Sequence, residues 1–75
     1  MNLLDLLNKL KWDKNYDFSK VKVWYISRGK IDDLSFVNGN EIKSIGKFLE
    51  IKNGKYIPIH RIVKIEYGGK EIWER

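Results

Sequence analysis

The chain has 75 residues, a formal net charge of +5, one histidine and no cysteine. We expect a single domain over residues 1–75, because a domain this small buries only about 60% of the surface that its unfolded chain exposes and has no room for a second core. Without cysteine there is no disulfide framework or thiolate zinc site, and one histidine cannot build an imidazole metal site. We therefore expect neither a metal ion nor a cofactor.

The hydropathy pattern predicts a soluble, cytoplasmic protein with no membrane partner. No apolar run reaches the roughly 18 residues of a membrane span, and the N-terminus lacks the features of a signal peptide. Residues 1–30 carry seven Lys and Arg against three Asp and Glu, whereas residues 31–75 carry eight against seven. A basic chain suits an anionic partner such as RNA, although lysine-rich surfaces also serve solubility.

A short helix is predicted over residues 2–11. One of its faces carries leucines at helical spacing: Leu3, Leu6, Leu7 and Leu10. We expect this face to pack on a sheet, since so short a helix is not stable alone. The aromatic residues that follow it, Trp12, Tyr16 and Phe18, are expected to plug the end of the core.

The clearest strand covers residues 21–28. Apolar side chains on both of its faces predict a central strand in which Trp24 belongs to the core. Arg28 then lies at the strand end, where side chains tend to be available to ligands.

Three hairpin-type dipeptides divide the rest of the chain: Asn38-Gly39, Asn53-Gly54 and Gly68-Gly69. Short apolar runs lie between them, at residues 34–37, 42–45, 48–51, 56–59, 62–67 and 72–73. This pattern predicts an α+β fold, with the helix packed on a small, strongly coiled antiparallel sheet or partly open β-barrel formed by a meander of short strands.

Residues 55–62, Lys-Tyr-Ile-Pro-Ile-His-Arg-Ile, hold the only proline and the only histidine. Pro58 has a fixed backbone angle and no donor, which places it at a sheet edge, a bulge or a strand entrance. Arg61 offers a planar fork of donors for a phosphate, and His60 adds a side chain that can donate or accept a hydrogen bond. We interpret this pair as an anion clasp, against the alternative of a solvated arginine and a histidine bonded to a carbonyl. Tyr56 is the candidate for stacking on an unpaired base.

Signatures of enzymes are absent from the sequence, which has no Walker loop, dinucleotide fingerprint, zinc-binding helix or serine elbow. Asp32 and Asp33 are adjacent on a loop, which favours a solvated turn over an acid/base pair or a magnesium site. General acid/base cleavage of a phosphodiester needs two positioned titrating groups, and only His60 is well suited. The sequence therefore favours binding without turnover.

Three segments carry a family resemblance. They are Trp12-Asp13 after the leucine-rich helix, Tyr-Ile-Ser-Arg-Gly over residues 25–29, and Tyr-Ile-Pro-Ile-His-Arg-Ile over residues 56–62. Over essentially its whole length the chain resembles a small archaeal family of uncharacterised proteins, also known as the RNA cyclic-group end recognition domain. The Pro-x-His-Arg-Ile segment is the most specific part of the likeness.

The resemblance implies a non-catalytic module that binds RNA with a phosphorylated 3′ end, in particular a 2′,3′-cyclic phosphate. It also implies a separate RNA-processing phosphoesterase or ligase as partner, since relatives of this domain are fused to such enzymes in larger proteins. His60 and Arg61 would form the clasp, and Arg28 would be the arginine of the strand-end motif. Ser27 departs from the pattern, because a histidine is expected before that arginine, and a second imidazole is therefore missing.

Selectivity for the cyclic end requires a restricted site. In such a site Arg61 or Arg28 meets one anionic edge, while Tyr25, Tyr56 and Pro58 pack against the ring, and an additional uncompensated charge is costly. Two alternatives compete with this interpretation. One is a weak phosphoesterase that uses His60, and the other is a structural barrel that oligomerises or docks on an RNA-processing assembly, which an exposed strand edge at residues 72–73 would favour.

Overall fold

The computed structural model describes residues 2–26 and 34–75 of the chain. Within those ranges the protein has one α-helix, seven β-strands and three single-turn 3₁₀ helices. The helix and strands are α1 Leu3–Trp12, β1 Val21–Ile26, β2 Leu34–Asn38, β3 Ile42–Ile45, β4 Phe48–Ile51, β5 Tyr56–Pro58, β6 Ile62–Tyr67 and β7 Lys70–Glu74. Ser27, Arg28 and the predicted Asp32-Asp33 turn lie outside the described residues.

Helix α1 confirms the prediction made from the leucine spacing. The side-chain Oδ1 of Asn2 accepts a hydrogen bond from the backbone N–H of Asp5 at 2.8 Å and caps the first turn. Leu3, Leu7 and Leu10 are buried, and this apolar stripe holds a ten-residue helix that would be marginal in water by itself. No helix among the described residues is long and apolar enough to cross a membrane.

The aromatic residues after the helix behave differently from one another. Phe18 packs against the core, as predicted. Tyr16 stands edge-on to Tyr67, with ring centroids 5.6 Å apart. Trp12 is 74% exposed, so the prediction that it plugs the core is wrong. The reason is helical phase, since Trp12 comes two residues after Leu10 and therefore lies about 200° around the helix from it.

The strands form two antiparallel sheets. One has four strands in the order β2-β1-β6-β7, and the other has three in the order β3-β4-β5. The α+β fold and the central position of β1 are therefore confirmed, and the sheets stay partly open without closing into a barrel. The prediction of a simple meander is wrong, because β1 pairs with β6 as well as with β2, and the sequence neighbours β2 and β3, like β5 and β6, lie in different sheets.

Trp24 lies on the face of β1 that points away from the core. Val21, Val23 and Tyr25 are buried, while Trp24 between them is partly exposed. The prediction that Trp24 is a core residue is wrong because the core covers only one face of this sheet. Its indole Nε1–H donates to a carboxylate oxygen of Glu66 at 2.9 Å.

Two of the three predicted hairpins are confirmed. Asn53-Gly54 connects β4 to β5 and Gly68-Gly69 connects β6 to β7, with positive φ at Gly54, Gly68 and Gly69. The third prediction is wrong, because Asn38-Gly39 leads into the 3₁₀ turn Gly39–Glu41, which takes the chain from the four-stranded sheet to the three-stranded one. The Glu41 carboxylate accepts a hydrogen bond from the Asn38 N–H at 3.0 Å, which favours this turn over a hairpin.

One apolar cluster forms the core shared by the helix and both sheets. Its buried members are Leu3, Leu7, Leu10, Val21, Val23, Tyr25, Val37, Ile42, Leu49, Ile51, Ile57, Ile62 and Ile65.

Gly39 provides a test of the crossing between the sheets. A Cβ at this position would collide with the backbone carbonyl oxygen of Phe18, so Gly39→Ala should lower the free energy of unfolding by about 1–3 kcal/mol. Gly46→Ala is the matched control, because a Cβ there meets open space and should change stability by less than about 0.5 kcal/mol. Urea unfolding followed by circular dichroism measures both, and equal stability of the two variants would contradict the described packing of Gly39.

Candidate functional site

Residues 55–62 form a strand, a tight turn and the start of the next strand. Strand β5 ends at Pro58, the 3₁₀ turn Ile59–Arg61 follows, and β6 begins at Ile62. Since β5 is an edge strand of the three-stranded sheet, Pro58 lies at a sheet edge as predicted. Ile57 before the turn and Ile62 after it are both buried, so the core anchors the turn on its two sides.

A cavity of about 280 Å³ opens beside this turn. Among the described residues it is lined by Tyr25, Ile26, Lys55, Tyr56, Ile57, Pro58 and Arg61. The first two come from the end of β1 in the four-stranded sheet, and the others come from β5 and its flanking turns. Its volume is close to the lower end of the range for small-molecule pockets, which starts at roughly 300 Å³.

Three of the five predicted site residues line this cavity together: Tyr25, Tyr56 and Arg61. His60 is exposed on the same turn but is not among the described lining residues. The 3₁₀ geometry explains the difference, because side chains three residues apart are aligned, which places Arg61 with Pro58 and turns His60 elsewhere. Its role stays a prediction, as does that of Arg28, which lies outside the described residues.

Lys55 is a cavity residue that sequence reasoning left out of the site. Its Nζ donates a hydrogen bond to the hydroxyl of Tyr25 at 3.1 Å and lies 5.3 Å from the centre of that ring. Lys55 keeps two further N–H donors, and the Tyr25 hydroxyl keeps its proton to donate. The sequence contains one local indication of this role, because Lys55 lies directly between the Asn53-Gly54 turn and Tyr56.

The electrostatics of the cavity are cationic. Lys55 and Arg61 line it, and no carboxylate does so among the described residues. Neither cation has a carboxylate within 4 Å in the described part of the chain, where the ion pairs are Lys43–Glu50 and Lys64–Glu66. Isoleucine, proline and tyrosine residues form the rest of the wall, and Tyr56 is 59% exposed. Such a site can hold an anion whose other side is apolar or ring-shaped.

Comparison with known proteins gives one family. Over residues 1–75 the sequence is similar to the family described as the MJ1316 RNA cyclic group end recognition domain. A UPF0248 protein from Archaeoglobus fulgidus is 44% identical over 70 residues, covering 92% of this chain and 99% of that protein. The UPF0248 protein MK0350 from Methanopyrus kandleri is 39% identical over 64 residues, covering 84% and 85%. PAE2518 from Pyrobaculum aerophilum, also a UPF0248 protein, is 34% identical over 71 residues, covering 89% and 88%. No solved structure gives a significant match.

Substitutions at two adjacent residues, Arg61 and Ile62, should distinguish a side chain that is free to bind a ligand from one that stabilises the fold. Ile62→Ala removes a fully buried side chain and should lower the free energy of unfolding by about 2–5 kcal/mol. Arg61→Ala removes a partly exposed side chain with no carboxylate partner among the described residues, and should change it by less than about 0.5 kcal/mol. Urea unfolding of both variants measures the difference, and a large loss for Arg61→Ala would show that this side chain holds the fold.

Proposed function

Because the chain belongs to the family of the MJ1316 RNA cyclic group end recognition domain, we propose that it binds RNA ends that carry a phosphate, with the 2′,3′-cyclic phosphate as the preferred end. The supporting observation is the cavity in which two cations, Lys55 and Arg61, face an apolar and aromatic wall. The family description names recognition and no reaction, which agrees with a binding role.

The cations divide the contacts to the phosphate. The Arg61 guanidinium meets two phosphate oxygens with parallel N–H donors, which is the geometry that gives arginine its advantage over lysine at phosphates. Lys55 contributes a point charge, and its hydrogen bond to the Tyr25 hydroxyl holds the ammonium at the cavity wall. The terminal phosphate then lies between the end of β1 and the turn after β5.

Charge alone would favour the wrong RNA end. A cyclic phosphate is a diester with one negative charge, whereas a terminal monophosphate carries about −1.5 to −2 at neutral pH. The apolar side of the cavity reverses this preference. The five-membered ring packs against Tyr56 and Pro58, whereas a monophosphate held by Lys55 and Arg61 would turn a charged oxygen toward this apolar wall, where it loses water without gaining a partner.

The proposal of binding without turnover rests on which side chains line the described cavity. Hydrolysis of a cyclic phosphate needs one group to take a proton and another to give it, at hydrogen-bonding distance from the reacting atoms. His60 is exposed and does not line the described cavity. The proposed role is therefore recognition, beside a separate RNA-processing enzyme that carries out the chemistry.

The competing structural role has one observation in its favour. Strand β7 is an edge of the four-stranded sheet, and its Ile72 is exposed. Charged residues, however, occupy much of this edge, which is how proteins discourage pairing between strand edges. They are Lys70, Glu71 and Glu74.

A cyclic nucleotide tests the absence of turnover. Uridine 2′,3′-cyclic phosphate incubated with the protein should stay intact, because only one histidine is present and it lies outside the described cavity lining. Chromatography of the nucleotide measures this outcome. Release of a 2′- or 3′-monophosphate that disappears in His60→Ala would contradict it and establish the phosphoesterase alternative.

The proposed phosphate contact is tested by substitution at Arg61. Arg61→Ala should weaken binding of a short RNA ending in a 2′,3′-cyclic phosphate by roughly 10- to 100-fold, the equivalent of about 1.5–3 kcal/mol for a charged hydrogen bond. Arg61→Lys should recover only part of this loss, because it restores the charge but not the fork. Fluorescence anisotropy of the labelled RNA measures all three affinities.

Lys70→Ala is the matched control for the loss of a positive charge. Lys70 is exposed and pairs with Tyr67, at the end of β6 opposite to the cavity. Tyr67 lies five positions after Ile62 along the strand, a distance of about 17 Å. If Arg61→Ala and Lys70→Ala weaken binding equally, the protein acts as a general basic surface, and the proposed site is wrong.

A further inference from the structure

The outer face of the four-stranded sheet carries an exposed aromatic pair. Trp24 on β1 lies directly opposite Phe36 on β2, and their ring centroids are 5.0 Å apart. Phe36 is 48% exposed and Trp24 is partly exposed, so both rings offer surface to solvent. The pair stabilises the sheet as a cross-strand contact, but that role does not require the rings to stay uncovered.

Lysine side chains lie beside these rings. The Nζ of Lys22 is 4.5 Å from the centre of the Phe36 ring and 5.6 Å from that of Trp24. The Nζ of Lys64 is 5.0 Å from Trp24, but Glu66 lies 3.9 Å from it and also accepts the Trp24 indole hydrogen bond. Glu66 thus fixes the indole and offsets Lys64. Lys22 has no carboxylate within 4 Å in the described part of the chain.

Ile26 of β1 connects the aromatic pair to the cavity. Ile26 lies two residues beyond Trp24 on the same face of β1, and it also lines the cavity proposed for the RNA end. Side chains on one face of a strand are about 6.8 Å apart at successive positions. A chain whose last residue sits in the cavity therefore reaches the aromatic pair with the residues immediately before it.

We infer that this outer face, defined by Lys22, Trp24 and Phe36, binds the one or two nucleotides that precede the RNA terminus. Unpaired bases stack on the exposed rings, and the Lys22 ammonium lies close to the RNA backbone. The inference rests on the proposed function, because the terminus in the cavity sets the direction of the RNA. Single-stranded RNA is favoured as the ligand because uncovered rings beside an unpaired cation suit stacked bases joined by phosphates.

The test compares two ligands with the same end in three proteins. The ligands are uridine 2′,3′-cyclic phosphate and an unstructured four-nucleotide RNA that ends in the same group. The proteins are the wild type, Phe36→Leu and Phe48→Leu. Phe48→Leu is the control because it makes the same replacement at a residue of similar exposure. Phe48 is 51% exposed and lies on β4 of the other sheet. Affinities are measured by NMR titration, which also shows that each variant is folded.

In the wild type, the four-nucleotide RNA should bind more tightly than the mononucleotide. Phe36→Leu should lower the affinity for the four-nucleotide RNA by about five- to 100-fold, the range expected for a lost base stack. It should leave the affinity for the mononucleotide unchanged. Phe48→Leu should retain the gain. In the wild type, the Trp24 indole N–H resonance should shift with the four-nucleotide RNA and not with the mononucleotide, which tests the inference without any substitution.

Other outcomes separate this inference from the proposed function. If the mononucleotide binds but the longer RNA gains nothing, or if the two phenylalanine variants lose the gain equally, the inference is overturned and the end site stands. If the mononucleotide fails to bind while an RNA with an unmodified 3′-hydroxyl binds and is sensitive to Phe36→Leu, the stacking face stands and the proposed function fails. Phe36→Leu that converts a dimer to a monomer without changing RNA affinity would assign the face to self-association and overturn the inference.

Discussion

The antiparallel pairing of β1 with β6 brings together two segments from opposite parts of the chain, and both the core and the cavity depend on it. Val21 pairs with Tyr67 and Val23 with Ile65, so β1 and β6 each present a buried face to the same interior. Helix α1, the three-stranded sheet and Val37 of β2 contribute the remaining buried residues of that cluster. An apolar interior of this size is the main source of stability for a domain without disulfides.

The same pairing positions the cavity. Its register shifts between Trp24 and Tyr25, after which Tyr25 lies opposite Ile62, the residue that follows Arg61. The hairpin of β4 and β5 provides the other wall of the cavity. The hydrogen bond from Lys55 to the Tyr25 hydroxyl joins the two sheets there. The cavity thus lies where the sheets meet, and each wall is held by backbone pairing within its own sheet. Such preorganisation lowers the entropic cost of binding a ligand.

Local sequence features predicted the parts of the fold that depend on local physics. Leucine spacing gave helix α1, and the glycines of the Asn53-Gly54 and Gly68-Gly69 turns gave two hairpins, because positive φ is required there. Other features depend on contacts between distant residues. Gly39 is needed because its backbone packs closely against the Phe18 carbonyl, and Trp24 is only partly buried because it lies on the outer face of the four-stranded sheet, although its apolar neighbours predicted burial. Likewise, Tyr56 and Arg61 were visible in one short segment, whereas Lys55 became a site residue only through its contact with Tyr25.

The preference for a cyclic end can be measured directly by an amide NMR titration with two RNAs that are identical except at the 3′ end. One ends in a 2′,3′-cyclic phosphate and the other in a 3′-monophosphate. We expect the cyclic end to bind more tightly, with the largest shifts at Tyr25 and over residues 55–62, and with a log-log salt slope of about −1 to −2 for a few phosphate contacts. Equal or tighter binding of the monophosphate, with shifts spread over the lysines, would contradict selective recognition of the cyclic end by this cavity.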